Sequence, residues 1–427
     1  MDIKLLKEKC VGKKLLILAG ASVHNKLAEA AKNMGVYTIV TDYLNDSPAK
    51  NIADEKWMLN ICDVDEIVDK CKDESVDGVI TGWIDPCQRP YQSICDKLGI
   101  PCLGTFDQFF KMTDKHAFKE MCKENNVSVI PEYSVDQCLN GEVEFPLFVK
   151  PVDSRGSRGQ SVCNTQSELE NAIKYARAES SNGDILVEKY MGGANEFQVT
   201  YFFVNGEAYL IRTVDSYTGN PEDNMEKVVA CSISPSHNTN IFLEKCNDRV
   251  IEMFKNLGIK NGPIFMQGFE KDGEFYFFDP GLRFPGVDYE RIFTEVYGID
   301  LMELMIIYAL TGEMPDIIIA EDAVFLNGNV AAILFPTIKA GKIAEIKGYE
   351  SLNNDKRIVS MLKRADIGDE IEWTYNVNQR LSEIDILCES ESDLKETLNK
   401  IQNSIEVYDE NGKDMIFRKF DTSRIVF

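Results

Sequence analysis

The chain has 427 residues, of which 44% are hydrophobic and 10% aromatic, and its formal net charge is −24. A chain of this length is longer than one that usually folds around a single hydrophobic core, so two to four structural units are expected. The negative charge argues against a nucleic-acid partner or an anionic membrane surface, because phosphate groups would be repelled. Any site for a phosphorylated ligand must therefore be a local basic pocket.

The cysteines indicate the cellular compartment. There are twelve, without a Cys-x-x-Cys pair or the spacing of a Cys/His metal site. Such scattered thiols are typical of a reducing environment. The start of the sequence shows no secretory apolar run, and no apolar segment reaches the length of a membrane span. We expect a cytoplasmic protein.

The first hundred residues predict a doubly wound α/β domain. Residues 13–42 read as strand, helix and strand, a β-α-β unit that implies a parallel sheet. Another strand is predicted at 76–82 and another helix at 91–98. Trp83, Asp85 and Arg89 follow that strand and could line the crevice at its carboxyl end. The turn at Gly20 is similar to a dinucleotide site, but it has one of the three required glycines, so a nicotinamide enzyme is a weak alternative.

A loop of small and cationic residues follows the apolar strand that ends at Lys150. The loop contains Ser154, Arg155, Gly156, Ser157, Arg158 and Gly159. Glycines let successive N–H groups turn toward one anion, while lysine and arginine supply positive charge. The pattern predicts a lid over a nucleotide triphosphate, with a polar hairpin turn as the alternative. It is not a Walker loop, because no Gly-Lys-Ser/Thr closes it.

The middle of the chain predicts several further elements. A helix opens near 111–119 with Thr113 or Asp114 as its cap, another covers 167–178, and a strand at 184–191 ends in a glycine hinge. Asn205-Gly206 predicts a tight hairpin, and a single helix is expected over 241–257.

A second hairpin spans residues 262–286, with a short turn at 271–273. The turn is short enough to place Gln267 opposite Asp279 on the paired strands. An apolar helix is expected over 299–310, and short strands with glycine turns follow from about residue 323.

Taken in order, the Lys150 loop, the Glu188 hinge and the Gln267–Asp279 hairpin resemble the ATP-grasp superfamily. The likeness is to its biotin carboxylase, carbamoyl phosphate synthase and phosphoribosylglycinamide synthetase group and to amino-acid ligases. It implies an N-terminal parallel-sheet domain over 1–110 and a two-lobed α+β ATP-grasp domain over 111–315, with a lid near 128–205. A small mixed α+β unit would cover 316–427.

The resemblance implies a role for each matching residue. Those implied to bind ATP are Lys115 and Lys150 at the phosphates, Ser154 to Gly159 in the closing loop, Glu188 with the Lys189, Tyr190 and Met191 backbone at the adenine edge, and Glu196 at the ribose. Gln267 and Asp279 would position Mg²⁺, and Arg283 would stabilise the transferring phosphoryl group. Where the family places two acids and an asparagine on this hairpin, the chain has Gln267, Asp279 and Gly281, so one anionic ligand remains.

The implied function is an ATP-dependent, ADP-forming ligase. It would activate a small carboxylate as an acyl phosphate, which an amine or similar nucleophile then attacks. A ligase of the phosphoribosylglycinamide synthetase or carbamoyl-phosphate type is the alternative within the family, and a nucleotide-binding protein with a decayed metal site is the alternative outside catalysis. A homodimer is compatible with this interpretation.

Overall fold

The computed structural model describes residues 2–152, 159–219, 228–287, 289–374, 376–417 and 419–427. The helices are α1 Ile3–Cys10, α2 Asn25–Asn33, α3 Val64–Asp73, α4 Asp85–Leu98, α5 Phe106–Lys111, α6 Lys115–Glu124, α7 Val135–Leu139, α8 Gln166–Glu179, α9 Thr239–Phe242, α10 Asp248–Asn256, α11 Tyr289–Tyr297, α12 Leu301–Thr311, α13 Tyr349–Leu352 and α14 Glu391–Ser404. The strands of the first half are β1 Lys14–Leu18, β2 Tyr37–Thr41, β3 Glu55–Trp57, β4 Gly78–Ile80, β5 Glu132–Tyr133, β6 Leu147–Pro151, β7 Ser161–Cys163, β8 Ile185–Lys189, β9 Asn195–Val204 and β10 Glu207–Thr218. Those of the second half are β11 Val229–Ser234, β12 Gly262–Lys271, β13 Glu274–Gly281, β14 Val330–Leu334, β15 Gly341–Lys347, β16 Ile358–Lys363, β17 Glu370–Ile371, β18 Ser382–Cys388 and β19 Glu406–Asp409.

The N-terminal unit is a parallel sheet in the order β3-β2-β1-β4. Its central strand β1 is apolar and buried along Leu15–Leu18, as expected for a strand covered on both faces. Helix α12 packs against α1, α2 and β4. That helix is apolar on nearly all sides, because it lies between the N-terminal sheet and the rest of the chain.

A larger antiparallel sheet forms the middle of the molecule, in the order β13-β12-β9-β10-β11-β14-β18-β16. The Asn205-Gly206 hairpin joins β9 to β10 as predicted. One face of β9 packs Phe197 against Phe242 and Phe275. Because side chains alternate along a strand, Glu196 and Gln198 lie on the other face. That second face carries the candidate site.

The lid has a sheet of its own, in the order β5-β8-β6-β7, covered by α7 and α8. Its small apolar core includes Leu147, Val149, Leu169 and Val187. This core is separate from the large cluster that joins the N-terminal sheet to the central sheet. The lid therefore contributes little to the main core of the molecule.

The predicted boundary at residue 316 is crossed by the central sheet, because β14, β18 and β16 extend it at one edge. The strands β15, β17 and β19 form a small separate sheet. The domain limits therefore stay a prediction.

The helix expected over 241–257 is interrupted. Helix α9 passes into a wider turn of the π type at Leu243–Asn247 before α10 begins. Within that turn the Tyr201 hydroxyl donates to Asn247 Oδ1 at 2.8 Å. Helical periodicity alone carries no sign of such a tertiary contact.

The cysteines are all free thiols, and most are buried. Burial raises the pKa of Cys71 and of Cys87 to about 12. Cys62, in the loop after β3, is exposed to solvent. In the described part of the chain, none of the helices has the length and apolar character needed to cross a membrane.

Candidate active site

A cleft of about 490 Å³ opens between the lid sheet and the β12–β13 hairpin. Seven of the predicted residues line it: Lys115, Lys150, Glu188, Lys189, Tyr190, Met191 and Asp279. Ile130, Phe148, Phe269 and Phe278 add apolar surface. A cavity that combines apolar walls with a few convergent charged groups is typical of a small-molecule site.

Glu188 is the centre of a buried ion-pair cluster. Its Oε2 lies 2.6 Å from Lys150 Nζ, and its Oε1 lies 2.5 Å from Lys119 Nζ. Lys119 also reaches Glu132 at 2.8 Å. Burial raises the pKa of Glu188, but the two lysines outweigh it and hold this pKa below its ordinary value. Glu188 therefore stays ionised and fixes Lys150 at the wall of the cleft.

The hinge after β8 offers one free backbone donor. The N–H groups of Lys189 and Tyr190 donate to the carbonyl oxygens of Pro131 and Pro146, at 2.9 and 3.1 Å. The Met191 N–H has no acceptor among the described residues. Both carboxylate oxygens of Glu188 are occupied by lysines, so a contact to a purine edge would come from this backbone rather than from the Glu188 side chain.

Lys115 and Asp279 face each other across the cleft from α6 and β13. Asp114 caps α6 by accepting from the N–H groups of His116 and Ala117, which sets where the helix and Lys115 begin. Burial, together with the nearby Lys150, lowers the pKa of Lys115. Burial also raises the pKa of Asp279 to about 6, aided by the charge of Asp85 and offset in part by Arg283 and the two lysines.

Gln267 lies opposite Asp279, as the hairpin spacing predicted. Its Nε2 donates to Glu196 Oε1 at 2.5 Å. Burial raises the pKa of Glu196, while this bond to Gln267 opposes the rise. Because the amide nitrogen is engaged, the Gln267 oxygen is the atom left to accept or to coordinate.

These residues fit Mg²⁺. Asp279 is a half-buried carboxylate whose charge is only partly compensated, which is the environment in which a hard divalent cation is favourable. Gln267 adds a neutral oxygen beside it. Neither here nor elsewhere in the described residues is a group of three or more His, Cys, Asp or Glu side chains placed to hold a metal, so the phosphates of a nucleotide would have to supply the remaining ligands.

Arg283, like Gln267 and Glu196, is not among the residues that line this cleft. Its guanidinium forms a two-point pair with Asp85, in which NH2 lies 2.7 Å from Oδ2 and Nε donates to Oδ1. NH1 donates to the Phe284 carbonyl at 2.8 Å, and the cation lies over the Phe265 ring at 4.4 Å. Arg283 is thus fixed at the junction with the N-terminal unit.

Of the predicted phosphate loop, only Gly159 can be described. It has a φ of +72°, and a Cβ there would lie 2.5 Å from Pro151 Cγ, so glycine is required where the loop returns. Ser154, Arg155, Gly156, Ser157 and Arg158 lie outside the described residues.

Two structural partners were not identified from the sequence. Lys119 follows Lys115 by four residues on α6, a spacing that places both on one helix face and could have indicated its role. The pairing of Asp85 with Arg283 joins residues 198 positions apart. No local pattern signals a contact of that range.

A family model described as an ATP-grasp domain matches residues 143–277. The chain carries an ATP-grasp domain. The match covers β6 to β12 and the first half of β13, and it includes the hinge and Gln267. The predicted site residues Lys115 and Asp279 lie on either side of the matched residues.

Relatives of the ATP-grasp domain extend over more of the chain. Formate-dependent phosphoribosylglycinamide formyltransferase of Prochlorococcus marinus (strain NATL1A) is 25% identical over 275 residues, which are 60% of this chain and 68% of that protein. Phosphoribosylglycinamide synthetase from Anaerococcus prevotii superposes with a TM-score of 0.75 at 23% identity, covering 93% of this chain and 100% of that one.

A third similar structure is the biotin carboxylase domain of 2-oxoglutarate carboxylase from Hydrogenobacter thermophilus, in complex with MgADP, ADP and bicarbonate. Its TM-score is 0.77 at 18% identity, with 95% of this chain and 91% of that one covered. At such identities the structural likeness establishes the fold. The predicted ATP-grasp family and α/β fold class are confirmed.

Proposed function

We propose that this protein is an ATP-dependent ligase that activates a small carboxylate as an acyl phosphate, which an amine or similar nucleophile then attacks. The observation that carries the proposal is the convergence of Lys115, Lys150 and Asp279 on one cleft bounded by the 189–191 hinge. The substrate carboxylate oxygen would attack the γ-phosphorus of ATP, ADP would leave, and the nucleophile would then displace phosphate from the activated carbon.

The chain's residues support each requirement of that reaction. Lys115 and Lys150 would neutralise phosphate oxygens, and the Met191 N–H would fix the purine edge. Asp279 and the Gln267 oxygen would hold Mg²⁺, which would supply charge neutralisation for the phosphates of the nucleotide. Arg283 would stabilise the transferring group from the N-terminal side, where its guanidinium pairs with Asp85.

The substrates are expected to enter at the carboxyl edge of the N-terminal sheet. Gly82 and Asp85 follow β4 there and contact the segment that contains Arg283. In open α/β sheets, ligands bind in the crevice outside this edge. The carboxylate to be activated would thus approach Arg283 and the phosphates from one side.

The direct test is ADP release from MgATP in the presence of pooled amino acids and small carboxylates, with mass spectrometry of the products. A pool that stimulates ADP formation and yields a condensed mass would support the proposal, and dividing the pool would identify both substrates. If the protein binds ATP but no pool stimulates turnover, the assignment fails. Bicarbonate or a phosphorylated acid would then be the next substrates to test.

A further inference from the structure

The β12–β13 hairpin that faces the cleft offers few ligands for a cation. Strands β12 and β13 pair Gln267 with Asp279 and Phe265 with Gly281. Residues two apart on a strand share a face, so these four positions form a patch on the hairpin. Of the four, Asp279 is the single acid.

The place of a third ligand is closed by packing. A Cβ on Gly281 would lie 2.5 Å from Phe265 Cε1 and 2.9 Å from Arg283 Cγ. The Phe265 ring is buried and is held in turn by the Arg283 guanidinium at 4.4 Å. A larger side chain at Gly281 would therefore have to displace an aromatic ring that a cation fixes.

Gln267, the residue opposite Asp279, has a neutral side chain that is already hydrogen-bonded. Gln267 donates its Nε2 to Glu196 at 2.5 Å, a bond that holds its amide in one orientation. An amide oxygen alone is a weaker ligand for a hard cation than a carboxylate, because it carries no net charge. The neighbouring Glu196 carboxylate is engaged by the Gln267 amide, so two adjacent divalent ions would have Asp279 as their one acid on the hairpin, and their mutual repulsion would have little compensation.

We propose that this site takes a single divalent cation, which arrives with the nucleotide and is anchored by Asp279. This inference rests on the proposed nucleotide site. Lys115 and Lys150, both at the cleft wall, would supply the positive charge for the remaining phosphate oxygens.

Mn²⁺ binding in the presence of ADP tests the proposal, since free Mn²⁺ is counted by electron paramagnetic resonance without any turnover. The expected result is one protein-held Mn²⁺ per bound ADP. Asp279→Asn should weaken Mn²⁺ binding in the ternary complex by at least about tenfold. Gln267→Glu should raise the count to two. Glu274→Gln changes an exposed acid at the far end of the same strand and is the matched control.

Calorimetry of ADP in parallel separates the possible failures. If ADP does not bind, the proposed nucleotide site is wrong. If ADP binds with two Mn²⁺ in the unmodified protein, the single-cation proposal is overturned. One Mn²⁺ that Asp279→Asn leaves unaffected would also overturn it, because the ion would then be anchored elsewhere.

Discussion

At the scale of residues, Lys150 has one ionic partner in the structure and a second in the proposed nucleotide complex. In the structure it is paired with Glu188, and in the proposed complex it would meet a phosphate. Lys150→Ala should weaken ATP binding at least tenfold, or about 1.4 kcal/mol, because a charge-assisted contact is lost. Glu188 would keep Lys119 as a counter-ion, so the variant should fold. Isothermal titration with ATP measures the effect.

Lys245→Ala is the matched control, since Lys245 is an exposed lysine that contacts the β12–β13 turn. Equal ATP affinity in Lys150→Ala and the unmodified protein would contradict the phosphate assignment.

Asp85 acts, in our interpretation, by positioning Arg283. The Asp85 carboxylate accepts two hydrogen bonds from the Arg283 guanidinium. Asparagine at this position would remove both the negative charge and one acceptor oxygen. Asp85→Asn should therefore slow ADP formation by about tenfold or more, since a misplaced catalytic group is costly. Nucleotide affinity should stay within about twofold, because Arg283 lies outside the cleft that we assign to ATP.

Asp96→Asn, an exposed position on the same helix, provides the comparison for Asp85→Asn. A loss of nucleotide affinity that matches the loss of rate would argue for a general structural effect instead of a positioning role.

At the scale of elements, a buried carboxylate joins β10 to the segment after β11. Asp215 accepts from Asn195 Nδ2 at 2.6 Å, from Ser236 Oγ at 2.5 Å and from His237 Nδ1 at 2.7 Å. Asp215 raises the pKa of His237 above its ordinary value, against the opposing effect of burial. A raised folded-state pKa means that this pair stabilises the fold fully below about pH 6.5 and loses that contribution as pH rises through the folded pKa.

His237→Gln should accordingly lower the free energy of unfolding by about 1–2 kcal/mol at acidic pH, with a smaller difference at alkaline pH. Urea unfolding at about pH 5.5 and about pH 8.5 checks this, with the exposed His116→Gln as control. A deficit that is the same at both pH values would show that the charge on His237 does not contribute.

The elements also show where sequence reasoning succeeds. The strand-helix-strand start, the Asn205-Gly206 turn and the pairing of Gln267 with Asp279 depend on local periodicity and short turns, and all three are found. The recruitment of β14 into the central sheet beside β11 depends on contacts about a hundred residues apart. The Asp85–Arg283 pair likewise joins residues that are distant in the sequence. Neither this pair nor the pairing of β14 with β11 could be predicted from a local pattern.

At the scale of the whole molecule, the apolar cores are unequal. One cluster joins the N-terminal sheet, α12 and the central sheet, whereas the lid packs around a small cluster that includes Leu169 and Ile173. A unit with few buried apolar contacts opens at lower free energy than the main core. Lid amides in 159–187 should exchange hydrogen at least about tenfold faster than those in β9.

Adding MgATP should slow lid exchange selectively, because the nucleotide would bridge Lys150 on the lid and Lys115 outside it. Hydrogen-exchange mass spectrometry measures both effects. Uniform exchange across the lid and β9, with no response to MgATP, would count against an independently moving lid.

The thiol inventory gives the protein a practical property. Toward a maleimide, a chain with twelve cysteines should react at two of them, the exposed Cys62 and the half-buried Cys102, because the thiolate is the reactive form and burial keeps thiols such as Cys71 and Cys87 protonated and shielded. Cys62 stands apart on an exposed loop after β3. A fluorophore attached there would sit near the carboxyl edge of the N-terminal sheet. It would report on substrate entry, and Cys102→Ser is the one change needed to make that label site unique.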